Sequence, residues 1–301
     1  LRKKLDLMNG REYAELINIQ HVNEGKAPFF TDQEVADFGE GFDWQDLIFQ
    51  TAPMQNTSLT VSGGTDKTTF AVSGSIFGQE GIIKGSDYNR YSLRTNISHK
   101  ISEMFRFNLS SSMTRLKTDR RDSRGGARGN SMIGAAISAA PISFPYNDDG
   151  SYRVLANEYP FIGPDIRNPL NYLNEQFITI DANVVLANAA FLFNPIPELT
   201  IKISGGIENR DDREDEYTTR NFVNSDGSAS VSTSQYRSLL NENTISYAKT
   251  FNDRHDISAV AGFTYQDFTR TFLEGSGVGF LSDVFGTHDL GAAQKPGQPG
   301  S

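Results

Sequence analysis

From residue 54 onward the chain alternates apolar and polar residues with a period of two. In the clearest stretch, Tyr91, Leu93, Thr95 and Ile97 share one face, while Arg90, Ser92, Arg94, Asn96, Ser98 and Lys100 share the other. Successive side chains of a strand point to opposite faces, so the pattern predicts a strand with one apolar and one polar surface. The same alternation recurs and predicts eight strands, over 55–63, 67–78, 88–101, 104–118, 177–193, 198–211, 235–250 and 255–272. Several of these carry the signal for ten residues or more. That exceeds the roughly 5–6 residues of a globular strand and suits the roughly 9–11 of a tilted strand that crosses a bilayer.

The connections are short, then long, then short again. Residues 63–67, 99–104, 194–198 and 252–255 are tight. The stretches 118–177 and 210–236 are about 60 and about 25 residues, against the usual 2–5 of a hairpin loop. A transmembrane barrel has this asymmetry, with short turns on the periplasmic side and long loops outside. Ahead of the strands, Tyr13, Leu16, Ile17 and Gln20 stand at helical spacing, and residues 27–53 read as irregular around the single Trp44, expected as a packing anchor. The division that follows is 1–53 as a lead-in with a short helix, 54–290 as a partial barrel and 291–301 as a flexible Gly/Pro-rich end.

Alternation by itself also fits a soluble β-rich adhesin or binding module, in which the apolar face is core and the polar face is wet. Composition narrows the choice. The chain is 37% hydrophobic with 21 Phe and 27 Gly, which suits two-faced strands and not bundled apolar helices. Its longest weakly polar run, residues 132–144, is too short for a membrane helix of roughly 18 or more residues and contains Pro141. A net charge of -9 argues against a broad basic surface for nucleic acid. No cysteine is present, which removes disulfides, thiolate metal sites and a Cys nucleophile.

The residues 43–96 carry a family signature. Asp43-Trp44-Gln45-Asp46 is followed by Ser62-Gly63-Gly64-Thr65-Asp66-Lys67-Thr68, then Gly78-Gln79-Glu80-Gly81-Ile82-Ile83 and Arg90-Tyr91-Ser92-Leu93-Arg94-Thr95-Asn96. In order and spacing these resemble the start of the barrel domain of the SusC/RagA family of TonB-dependent outer-membrane transporters. Met8-Asn9-Gly10-Arg11-Glu12-Tyr13-Ala14 looks like that family's link between plug and barrel. The resemblance implies an all-β, antiparallel sector of a wide, plugged barrel in the outer membrane. It also implies import of oligosaccharide or peptide nutrients, a SusD-like surface lipoprotein as partner, coupling to TonB through segments outside these residues, contact with lipid and lipopolysaccharide, and no cofactor.

Catalytic motifs are not found. His21, His99, His255 and His288 have neither metal nor triad spacing, and Ser62-Gly63-Gly64-Thr65 reads as a hairpin turn, since no helix follows to hold a phosphate. Asn147-Asp148-Asp149-Gly150-Ser151 reads as a β-turn and not a calcium loop, and the acidic run 211–216 reads as a solvated loop tip. Residues 120–128 form a basic Gly-rich run, expected as a mobile loop or an anionic-surface contact. Candidate substrate or lid contacts lie in the long connection: Tyr146, Asp148, Asp149, Tyr152, Tyr159 and Phe161. Aromatic faces beside planar carboxylates suit the C–H faces and paired hydroxyls of sugars, although aromatics in such a loop also serve its own packing.

Overall fold

A computed structural model describes residues 4–121, 129, 131–252, 254–298 and 300. Residues 122–128 of the basic Gly-rich run lie outside the described residues. The lead-in holds α1 (Gly10–Asn23), α2 (Asp32–Phe38) and α3 (Trp44–Ile48). Four strands follow, β1 (Met54–Gly64), β2 (Thr68–Glu80), β3 (Asp87–Lys100) and β4 (Phe105–Arg120). The long connection carries α4 (Met132–Ser138) and α5 (Pro169–Glu175). Then come β5 (Gln176–Ile196), β6 (Leu199–Thr218), β7 (Ser228–Phe251), β8 (His255–Phe280) and a short β9 (Ala293–Pro296). All nine strands form one antiparallel sheet in chain order.

The register puts most apolar residues of β1 to β8 on one surface, with exceptions such as Leu186 and Leu240 on the other. Leu59 lies opposite Gly74, Gly74 opposite Leu93, Leu93 opposite Met113 and Met113 opposite Val185. Ile207, Leu239 and their neighbours continue that face to Phe263 and Tyr265 on β8. None of the described residues covers it: Leu59 is 72% exposed and Phe263 64%. Large aliphatic and aromatic side chains spread in a sheet of this size belong against lipid. The opposite surface carries Arg94, Asn96, Asn108, Ser110, Ser112, Glu208 and Gln266, the composition of a wet lumen. Near the tight turns, Phe105 stacks on Phe193 at 4.6 Å and Phe107 meets Phe191 at 5.0 Å, an aromatic girdle at one membrane edge.

On β4 the apolar face runs from Phe105 to Met113 and then changes to Arg115, Lys117 and Asp119. Eight steps of about 3.4 Å make roughly 27 Å along the strand, or about 21 Å upright at a tilt near 40°, close to the roughly 25 Å band of an outer-membrane barrel. β5 to β8 have 21, 20, 24 and 26 residues, so they continue well past that band.

Four sequence expectations change here. The second long connection, expected over 210–236, shrinks to residues 219–227, because β6 and β7 stay paired as far as Thr218 and Ser228. The acidic run 211–216 is therefore not a loop tip. It lies within β6, where Arg210 pairs with Asp212 at 2.7 Å, Arg213 with Asp215 at 2.8 Å, and Arg120 reaches Glu214 at 3.0 Å. Above the membrane both faces of a strand are wet, so the apolar alternation that signals a strand is absent there even though the ladder continues. The stretch 27–53, expected as irregular, forms two short helices. Thr31 and Glu34 make a reciprocal capping box on α2, and the Asp43 carboxylate accepts from the backbone of Gln45 and Asp46 on α3. Within residues 291–301, β9 adds to the sheet by pairing with β8.

Candidate functional site

The 121–175 connection is anchored by hydrophobic packing. Trp44 and Ile48 of α3 bury with Met132, Ala135 and Ala136 of α4, Leu155, Tyr172 of α5 and Phe222. The Trp44 indole N–H donates to the Ala140 carbonyl at 2.9 Å, so this ring is the anchor its sequence position suggested. A second cluster joins Ala14 and Ile17 of α1, Phe30 and Val35 to Ala140, Ile142 and Ile162.

Above this packing the connection turns back on itself. Tyr146 and Tyr152 form an isolated bridge around a tight turn, in which the Asn147 N–H donates to Ser151 O at 2.9 Å and Gly150 takes φ 82. The Asp149 carboxylate accepts from the Ser151 hydroxyl and backbone N–H at 2.6 and 2.9 Å, which holds its pKa below the ordinary carboxylate value. This is the β-turn expected of residues 147–151.

A cleft of 1030 Å³ opens between this hairpin, the residues leading into α5 and the 219–227 turn. Its floor is built by polar side chains that hold the three stretches together. Asn168 caps α5 through Leu170 N–H at 3.1 Å, and its amide donates to the Pro145 carbonyl at 2.6 Å and the Arg153 carbonyl at 3.2 Å. Pro169 follows at the first helical position, where a missing N–H costs nothing. The Asn171 side-chain oxygen accepts from the Val223 N–H at 2.9 Å, which ties the 219–227 turn to α5.

The buried Glu175 carboxylate accepts from the Tyr152 hydroxyl at 2.6 Å and from the Thr219 hydroxyl. Desolvation, then the bond to Glu175, pushes the Tyr152 phenol up to about 12. Two guanidinium groups face the cleft. Arg153 pairs with Glu158 at 2.7 Å, and Arg167 lies 5.7 Å over the Phe222 ring. Arg153 Nε and Glu158 Oε2 are buried without a partner of their own.

The structure separates the six candidate residues into three groups. Tyr146 and Tyr152 line the cleft, with ring centroids 6.0 Å apart. Asp148 and Asp149 sit exposed on the turn between them. Tyr159 and Phe161 stack on each other at 5.2 Å and pack into the aromatic cluster with Phe29 and Phe30, away from the cleft. The polar groups that sequence reading passed over are Arg153, Arg167, Asn168, Asn171, Glu175 and Asn221. They come from separate stretches that only the fold brings together, and the one local signal among them is Asn168-Pro169 as a helix start. Aromatic faces, amides and guanidinium groups around an open cleft suit a hydroxyl-rich or peptide-like ligand. Among the described residues no group of three or more His, Asp or Glu stands close enough to hold a metal ion.

An antiparallel sheet that is apolar outside, polar inside, girdled by aromatics and long-looped at one end is a sector of an outer-membrane β-barrel. No helix among the described residues is long and apolar enough to cross a membrane, and in this class the strands do the crossing. No family model matches the sequence. Individual relatives do. The chain is 27% identical to TonB-dependent receptor P3 of Formosa agariphila over 268 residues, which is 87% of this chain and 25% of that protein. It is 24% identical to TonB-dependent receptor SusC of Bacteroides thetaiotaomicron over 299 residues, 92% of this chain and 28% of that one. Its fold matches the structure of the RagAB peptide transporter with a TM-score of 0.81 at 20% identity, covering 98% of this chain and 36% of that one. Over most of its length the chain is similar to TonB-dependent receptors of the SusC/RagA kind, and its fold is that of a sector of an outer-membrane β-barrel. It spans about a quarter of the length of the curated relatives it matches.

Proposed function

We propose that this sector belongs to an importer that draws oligosaccharide or peptide nutrients across the outer membrane. Energy arrives through TonB, and a SusD-like lipoprotein works with the barrel at the cell surface. The two named relatives are TonB-dependent receptors, and the matched structure is a peptide transporter. The observation that carries the reading on this chain is the cleft of 1030 Å³ at the long-loop end, with Tyr146, Tyr152, Arg153 and Arg167 around it.

In this reading Tyr146 and Tyr152 contact the ligand or the lid, and Asp148 and Asp149 present the turn between them. Tyr159 and Phe161 act at one remove, by holding the loop in shape. The test is growth of a strain lacking the whole gene on defined oligosaccharides and on defined peptides, with rescue by the wild type or by Tyr146→Ala plus Arg167→Ala. The expected result is growth on one nutrient class restored by the wild type and impaired in the double variant, with surface levels unchanged. Equal growth of the deletion strain and its parent on every nutrient sinks the import reading; full rescue by the double variant sinks the role of the cleft.

A further inference from the structure

Residues 4–53 join the sheet at the end that bears the long connection. β1 begins at Met54 opposite Gln79 and leaves at Gly64 opposite Thr69, into the tight turn. The β2–β3 hairpin closes at residues 81–86, and β4 leaves at Arg120, both at the end where Met54 enters. Tight turns at 65–67, 101–104 and 197–198, and the junction where β7 ends at Phe251 and β8 begins at His255, occupy the other end.

The lead-in is bonded to that outward end at several points. The Gln50 N–H donates to Ile82 O at 2.9 Å, and the Lys84 N–H donates to Ile48 O at 2.9 Å. The Lys84 ammonium donates to the carbonyls of Asp46 and Leu47 at 2.8 and 2.9 Å, a cation on the last turn of α3. Against the long connection, Phe42 N–H donates to Pro141 O at 2.7 Å, and Phe29 and Phe30 pack edge-on to Phe161 at 5.1 and 6.0 Å. Both buried clusters of this region draw residues from the lead-in and from the long connection together. Neither partner keeps its core without the other.

A link arriving from a periplasmic plug would meet the sheet at the tight-turn end. We infer that residues 4–53 are instead part of the cell-surface cap, the wall against which the 121–175 connection folds and which sets the shape of the cleft. The inference rests on the orientation in which tight turns face the periplasm, and not on the import reading.

These residues contain no cysteine, so one added thiol is a unique label within them. Lys26→Cys and Gln33→Cys probe two exposed places in the lead-in, Asp148→Cys the long connection, and Asp66→Cys a tight turn. Each is made in the full-length protein, in a cysteine-free background, with heat-modifiable mobility as the check on folding. Intact cells are treated with a membrane-impermeant maleimide and compared with lysed cells. The expected result is that Lys26→Cys, Gln33→Cys and Asp148→Cys label fully on intact cells, and Asp66→Cys only after lysis. If Asp148→Cys labels while both lead-in variants stay silent until lysis, the inference fails and the orientation stands. If Asp66→Cys labels on intact cells and Asp148→Cys does not, the orientation fails and the inference with it.

Discussion

Trp44 concentrates much of the cap in one side chain, 3% exposed and hydrogen-bonded through its indole N–H. Trp44→Ala removes both packing and bond, and a buried Trp truncated to Ala costs about 3–5 kcal/mol. The expected outcome is rapid protease cleavage within 129–175, while the strands stay resistant. Trp44→Phe keeps most of the packing and loses the bond, a cost of about 1 kcal/mol, so its cleavage rate falls between the two. Gly41 is constrained by its backbone, with φ 72 and a neighbouring Pro141 carbonyl that any Cβ would strike. Gly41→Ala is expected to loosen the same region in the same assay. Tyr152 gives a pH window. Its folded pKa is raised above the ordinary 10 to about 12, so the neutral phenol is the form the fold favours. The stabilisation is complete below pH 10 and lost as pH rises toward 12. Protease resistance of the hairpin 146–152 should fall over that interval, and Tyr152→Phe should abolish the dependence.

Across a strand, two faces meet two solvents. Leu93 lies on the lipid surface and its neighbour Arg94 already sits on the lumen side. Ile97 lies opposite Leu109, midway along the apolar band of β4, and Ile97→Arg is expected to destabilise the inserted barrel by about 2–4 kcal/mol, the cost of a cation near the bilayer midplane. Ser92→Arg, on the wet face, is expected to leave stability nearly unchanged. Denaturant unfolding in lipid vesicles reads the difference, and equal effects at both positions would contradict the assignment of the faces. The helices follow a different rule. α2 has seven residues, too few to persist on propensity alone, so its capping box and buried Val35 hold it. Thr31→Ala is expected to cost about 1 kcal/mol, seen as faster hydrogen exchange confined to α2.

At the scale of the molecule, sheet and cap have separate sources of stability. Strand pairing runs from β1 to β9 with backbone hydrogen bonds, and the cap rests on two apolar clusters of its own. Replacing residues 129–167 by a short Gly/Ser connection is therefore expected to leave the barrel inserted and heat-modifiable and, under the proposed function, to abolish nutrient-dependent growth. Loss of insertion would show that the cap is needed for assembly. The acidic stretch of β6 also belongs to this scale, because its ion pairs sit in a sheet that rises beyond the apolar band.

The sequence by itself determined the membrane part of this protein. Within the bilayer one face of each strand must be apolar and the other polar, so a period of two is written directly into residues such as Tyr91 to Asn96, and the tight turns at Gly63-Gly64 and Asn194 punctuate it. The family likeness in 43–96 gave that pattern its orientation. Only the tertiary structure decided the rest. Where water bathes both faces, as from Asn209 to Thr218, no periodicity in hydrophobicity separates a strand from a loop, and pairing with β5 and β7 makes the difference. The cleft was equally hidden. Tyr152, Glu175 and Thr219 are far apart along the chain and ordinary as residues, and become a site only because three helices from the lead-in and two from the long connection close around shared cores.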